Sequence, residues 1–146
     1  MSGHLADVFE TMLSMKTTLL VENDLPRFAD RVSGSVGFAG EKVTGAVYLH
    51  LSAPFALHVA AAMLGLAVDE LGEAEANDVV GEATNMLAGG LKSWLCDKGA
   101  ACALSTPSII RGLAYGIEPA ANVQREILVF GCDADRVIVE VHFKFA

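Results

Sequence analysis

The last ten residues before the C-terminal alanine read RVIVEVHFKF. Val137, Val139, Val141, Phe143 and Phe145 alternate strictly with Arg136, Ile138, Glu140, His142 and Lys144. Side chains of a strand point to opposite faces with period two, whereas a helix would scatter this pattern around its axis. The segment therefore predicts a strand with a valine-rich face in a core. REILVFG precedes it through CDAD, which predicts a hairpin. A similar pair lies earlier, where VSGSVGF and VTGAVYLHL flank AGEK, whose glycine suits a tight turn. In the second of these, Val43, Gly45, Val47, Leu49 and Leu51 alternate with Thr44, Ala46, Tyr48 and His50, again a strand with one face in the core.

Two hairpins with apolar faces need helices or a second sheet to cover them. Helix signals are present. Ser52 and Pro54 supply a capping oxygen and a pre-set backbone angle, so Pro54 to Leu64 is expected to be helical, closed by Gly65. A longer helix is expected from about Glu75 to Cys96, and an opening helix from about Leu5 to Leu20, with Val8, Met12 and Met15 facing a core. Val21 to Arg31 reads as a polar stretch broken by Pro26. ACALS reads as a short strand and STPSIIRG as a loop broken by Pro107. The order suggests one domain over residues 1–146 with two loosely similar halves. It is an α+β, two-layer fold in which an antiparallel sheet is flanked by long helices.

Composition narrows the function. Hydrophobic residues make up 53% and charged residues 19% of the 146, which describes a core-rich globular chain. Eighteen acidic against ten basic residues give a net charge of −8, which argues against nucleic acid and anionic membranes as partners. APFALHVAAAMLGLAV is too short and too interrupted to span a bilayer. MSGHLADVFE lacks the charged-then-apolar pattern of a secretion signal, so a cytoplasmic location is expected. Cys96, Cys102 and Cys132 lack the paired short spacings of a zinc site and read as reduced thiols.

Within the longer helix, Asp78, Glu82, Asn85 and Gly89 are spaced i, i+4, i+7 and i+11, which places them on one stripe. Val79, Val80, Ala83, Met86, Leu87, Leu91 and Trp94 occupy the broadly opposite side. Gly81, Gly89 and Gly90 surround the Glu82/Asn85 pair, although each glycine costs a helix about 1 kcal/mol relative to alanine. Missing side chains let another backbone come close, so the surface suits docking of a second protein. Lys92 lies on the edge of the stripe. Glu82 could serve as a base, but Asn85 can only orient a group by donating and accepting hydrogen bonds. A glycosidase would need a second facing carboxylate, and none is visibly placed. Orienting water for attack on a phosphoryl group needs positioning above all, and an amide suffices for that. His50 and His58 flank the strand-to-helix turn without a third ligand, so ordinary hydrogen-bonded histidines are expected.

Asp78, Glu82 and Asn85, followed by MLAGG, match the signature of the CheC/CheX family of chemotaxis phosphatases: an acidic residue or serine, three spacers, Glu, two spacers and Asn. The chain also resembles that family in GFAGEKVTGAVYLHLSAPFALHVAAAMLG and in STPSIIRG. It carries one motif, with Val8 and Thr11 where a second would fall, which resembles CheX more than CheC. The resemblance implies a pseudo-twofold fold and dephosphorylation of a phosphorylated CheY-like response regulator. Asn85 would hold the attacking water, and Glu82 would pair with a receiver lysine. Asp78, Gly81, Gly89 and Lys92 would line the docking face. It further implies no metal or other cofactor on this chain, with Mg²⁺ on the partner receiver, and a homodimer formed through the sheets, the final strands being candidate edges.

Overall fold

The structure, a computed structural model, describes residues 18–20, 30–112, 117, 120–132 and 135–146. One antiparallel sheet is built from β1 (Thr18–Leu20), β2 (Arg31–Ala39), β3 (Val43–Ser52), β4 (Ala103–Leu104), β5 (Ser108–Gly112), β6 (Gln124–Cys132) and β7 (Asp135–Phe145). Its order is β1-β6-β7-β3-β2-β4, with β5 also paired to β2. Helix α1 (Ala53–Leu64) follows β3, and after a 3₁₀ turn at Val68–Glu70 comes the long helix α2 (Glu73–Asp97).

Both expected hairpins form. In the first, Val36 stands opposite Val47 and Gly40 N–H donates to Val43 O at 2.8 Å to close the turn. In the second, Leu128 stands opposite Val139. Strand β7 lies between β6 and β3, and β6 between β1 and β7, so neither of the final strands is an edge of the sheet. The alternation that makes the strand so legible says nothing about its neighbours, which only the pairing decides.

One face of the sheet packs on the helices. Val32, Val36, Val47, Leu49, Leu51, Val137, Val139 and Val141 meet Phe55, Val59, Val80, Ala83, Leu87 and Leu91, all nearly inaccessible. Full burial of a valine or leucine side chain stabilises the fold by about 1.5–3 kcal/mol relative to exposure. The expectation of strands buried on one face alone is corrected. On the other face Ser33, His50, Ile138, Glu140 and His142 are also buried. Polar residues tolerate this because they satisfy one another (below).

Helix α1 begins as its sequence dictates. Phe55 N–H donates to Ser52 Oγ at 3.2 Å, Pro54 fills the first turn, and Gly65 ends the helix in the left-handed conformation (φ 67°). Helix α2 starts after Gly72, whose N–H donates to Glu75 Oε2 at 3.0 Å.

Two expectations are corrected by the sheet. The stretch containing Ser108–Gly112 is a strand, with Ile109 opposite Gly34 and Arg111 opposite Val32. Strand β2 offers an open row of backbone donors and acceptors there, and Pro107, which has no N–H, stands just before the pairing starts. The opening helix cannot reach Leu20, because Thr18–Leu20 pair with Val129–Gly131. The rest of that expected helix, including Val8, Thr11, Met12 and Met15, lies outside the described residues, as does the stretch 21–29. The first half of the two-half pattern lies partly with it.

Candidate functional site

Helix α2 is held against the sheet by small residues on one side. Gly34 of β2 has no room for a side chain: an added Cβ would overlap Thr84 Oγ1 and lie 2.9 Å from Thr84 Cβ and 3.2 Å from Val80 O. Thr84 Oγ1 in turn donates to Val80 O at 2.7 Å, which fixes its rotamer. One turn earlier Gly81 is buried beside β5, where an added Cβ would lie 3.6 Å from both Pro107 and Ile109. One turn earlier again, Arg111 Nε–H donates to Asn77 Oδ1 at 2.6 Å. Residues 77, 81 and 84 thus form the seam between the helix and the β2/β5 edge.

The opposite side of α2 is open. Asp78, Glu82 and Lys92 are exposed, and Asn85 and Gly89 are half-buried. An added Cβ on Gly89 would meet nothing within 4 Å. Among the described residues, the side chains of Glu82 and Asn85 have no hydrogen-bond or ion-pair partner, and neither have those of Asp78 and Lys92. The carboxylate and the carboxamide therefore stand one turn apart on a clamped helix, free to meet an incoming group.

The structure sorts the expected site residues. Asp78, Glu82, Asn85, Gly89 and Lys92 share the open face. Gly81 does not: it is buried against the chain's own strand β5. Met86, expected in the core, is 38% exposed. At 100° per residue it lies only about 40° from Glu82 around the helix and so borders the stripe with an apolar surface. Trp94 is half-buried at the margin of the core. His50 and His58 do not come together, since His50 is buried on the sheet and His58 is exposed on α1.

Sequence reasoning missed two features. The first is a polar cluster on the sheet face away from the helices. His50 Nδ1 shares a hydrogen bond of 2.5 Å with Ser33 Oγ, and His50 Nε2 lies 3.2 Å from Glu140 Oε1, in ion-pair range but without hydrogen-bond alignment. Glu140 Oε2 accepts from Arg125 Nε at 3.2 Å and pairs with His142 Nε2 at 3.0 Å. The Tyr48 ring lies close to both imidazoles, 6.2 Å from His50 and 5.0 Å from His142 by centroid. Burial pushes the Glu140 carboxyl up, but the contacts from His50, Arg125 and His142 outweigh it and hold the group at about 2. Glu140 and His142 at i and i+2 were a visible signal of two titratable groups on one face, which the alternation alone assigns to solvent. The second feature is the Arg111–Asn77 bond, which spans 34 residues and has no local signal.

Among the described residues no cluster of three or more histidine, cysteine or acidic side chains could hold a metal ion, and no helix is long and apolar enough to cross a membrane.

Residues 32–131, more than half of the chain, match the family model described as chemotaxis phosphatase CheX. The chain belongs to the CheX family. Its fold is similar to that of CheX from Vibrio vulnificus, at 28% identity and a TM-score of 0.82, covering 98% of this chain and 93% of the other. A CheC-like superfamily protein from Shewanella sp. PV-4 is 30% identical with a TM-score of 0.78, covering 98% and 94%. The CheX of a CheX–CheY–BeF3–Mg²⁺ complex from Borrelia burgdorferi shares the fold at 21% identity and a TM-score of 0.74, covering 98% and 94%. No curated protein matches this chain. The motif Asp78, Glu82, Asn85 lies within the CheX-matched region, on the helix face just described.

Proposed function

We propose that this protein hydrolyses the phosphoaspartate of a CheY-like response regulator. The observation that carries the reading is the unengaged Asn85 carboxamide, one turn from the unengaged Glu82 carboxylate, on the open face of a helix whose other side is locked to the sheet. Phosphoryl transfer asks a protein mainly for positioning and charge placement, which this arrangement supplies.

In this reading Asn85 Oδ1 accepts a hydrogen bond from a water and aligns the water oxygen with phosphorus, opposite the aspartyl oxygen. The bond from water oxygen to phosphorus forms as the bond from phosphorus to the aspartyl oxygen breaks. Inorganic phosphate and the free carboxylate of the receiver are the products, and the proton of the water leaves on phosphate or to solvent. Glu82 pairs with a receiver lysine and fixes the approach. Asp78, Gly89, Lys92 and Met86 border the docking face. Mg²⁺ and the phosphorylated aspartate belong to the receiver. Family membership supports the choice of a CheY-like partner, as does the CheX–CheY pairing in the related Borrelia complex. A homodimer working in the cytoplasm is part of the same proposal.

The test is the lifetime of a phosphorylated CheY-like receiver with Mg²⁺, alone, with the wild-type protein and with Asn85→Ala. The wild type should shorten the lifetime, and the variant should still bind while losing about 10²-fold or more in rate. Binding by both proteins with no change in lifetime would replace the phosphatase with a receiver-binding module.

A further inference from the structure

We infer that Arg111 is a positioning residue for the helix face that carries Asn85. Its Nε–H donates to Asn77 Oδ1 at 2.6 Å, and the same nitrogen lies 3.5 Å from Oε1 of the exposed Glu73, so the guanidinium bonds one turn of α2 and makes a weaker charge contact to the turn before it. Asn77 faces β5 and takes no place on the open stripe. Arg111 therefore acts on the site only through the helix.

Two observations make this more than a surface contact. First, the helix lacks a side-chain cap at its start: Gly72 is the N-cap, and only Glu75 reaches back to its N–H. The opening turns of a helix carry unsatisfied N–H groups and fray unless something holds them. Secondly, a cation near a helix N-terminus opposes the macrodipole, so general electrostatics does not account for an arginine there. Its single Nε–H is directed at the Asn77 amide, and the exposed Glu73 carboxylate adds only a weak charge contact. Arg111 sits on β5 opposite Val32 of β2, and the adjoining Ile109 and Pro107 lie against Gly81. The edge strand thus braces α2 at residues 73, 77 and 81. Asn85 is the next turn, about 12 Å along the axis from Asn77. With the brace gone, the opening turns of α2 can fray as far as the turn that carries Asn85 and loosen the hold on its carboxamide.

The inference rests on the phosphatase reading for its kinetic consequence, and hydrogen exchange gives it a second readout that does not. In the full chain, Arg111→Ala, Asn77→Ala, the double variant and Arg111→Lys are compared. Each alanine variant should raise amide exchange about tenfold in residues 78–86 and leave residues 90–95 within about twofold, as expected of local opening. With phosphorylated receiver, kcat should fall about tenfold with KM within about twofold, and the double variant should match Arg111→Ala, which already removes the contact to Asn77. Arg111→Lys should recover part of the loss. Exchange that rises evenly along the helix, exchange that does not change, or single effects that multiply in the double variant would each overturn the inference. If the wild type itself fails to hydrolyse the receiver, the phosphatase reading falls and the exchange profile still decides the brace. Should Arg111→Ala not fold, Asn77→Ala leaves the sheet edge untouched and decides it.

Discussion

The contact between Gly34 and Thr84 makes the position of Asn85 testable from beneath the helix. In Gly34→Ala the new methyl would lie 2.9 Å from Thr84 Cβ, against an ordinary carbon–carbon separation of about 3.5–4.0 Å. It would also overlap Thr84 Oγ1. Turning the hydroxyl away relieves that overlap but breaks its 2.7 Å bond to Val80 O, at a net cost of about 1 kcal/mol. Rotation does not help the Cβ, nor the 3.2 Å approach to Val80 O. The helix must lift by roughly 0.6–1.1 Å, the shortfall between 2.9 Å and normal contact. Overpacking of this size destabilises a fold by about 1–3 kcal/mol, readable from urea unfolding. A displacement of about 1 Å in the group that orients water costs a rate on the order of 10²-fold. Receiver dephosphorylation should therefore slow by about two orders of magnitude in a protein that is still folded and still binds. Adding Thr84→Ala removes the hydroxyl overlap but leaves the Cβ conflict, so it should restore only part of both losses. A Gly34→Ala protein with the wild-type rate and wild-type urea midpoint would refute the idea that this contact sets the height of the helix.

Two further outcomes follow from the same geometry. The Glu140 carboxyl is lowered from its ordinary 4.5 to about 2 in the fold, so the stability it confers is present above about pH 4.5 and is lost as pH falls towards 2. At 1.36 kcal/mol per unit this amounts to about 3 kcal/mol. Glu140→Gln should lower stability by that order at pH 7 and flatten the acid limb of the unfolding curve, which urea titrations between pH 2 and 7 would show; an unchanged acid limb would mean that the cluster does not hold the charge. Gly89→Ala has free space and good helix propensity, so it should stabilise the fold by about 1 kcal/mol. If a partner backbone docks there, KM for the phosphorylated receiver should rise severalfold, and an unchanged KM would remove Gly89 from the docking face.

The sequence by itself determined the local elements and the open stripe. Strict alternation in residues 136–145, the Ser52/Pro54 start and Gly65 stop of α1, and the i, i+4, i+7 spacing of Asp78, Glu82 and Asn85 are set by backbone periods of two and 3.6, which need no tertiary information. Met86 marks the limit of that reasoning: hydrophobicity argued for the core, but its angle around the helix puts it beside Glu82. What only the tertiary structure decided were contacts between residues far apart in the chain. Whether β7 is an edge, whether Ser108–Gly112 is a loop or a strand, and which neighbour fills the space over Gly81 all depend on which strand edges are left unpaired. The burial of His50, Glu140 and His142 is of the same kind. A polar residue on an alternating strand reads as solvent-facing until its partners arrive from neighbouring strands, and only then does burial stop costing the fold.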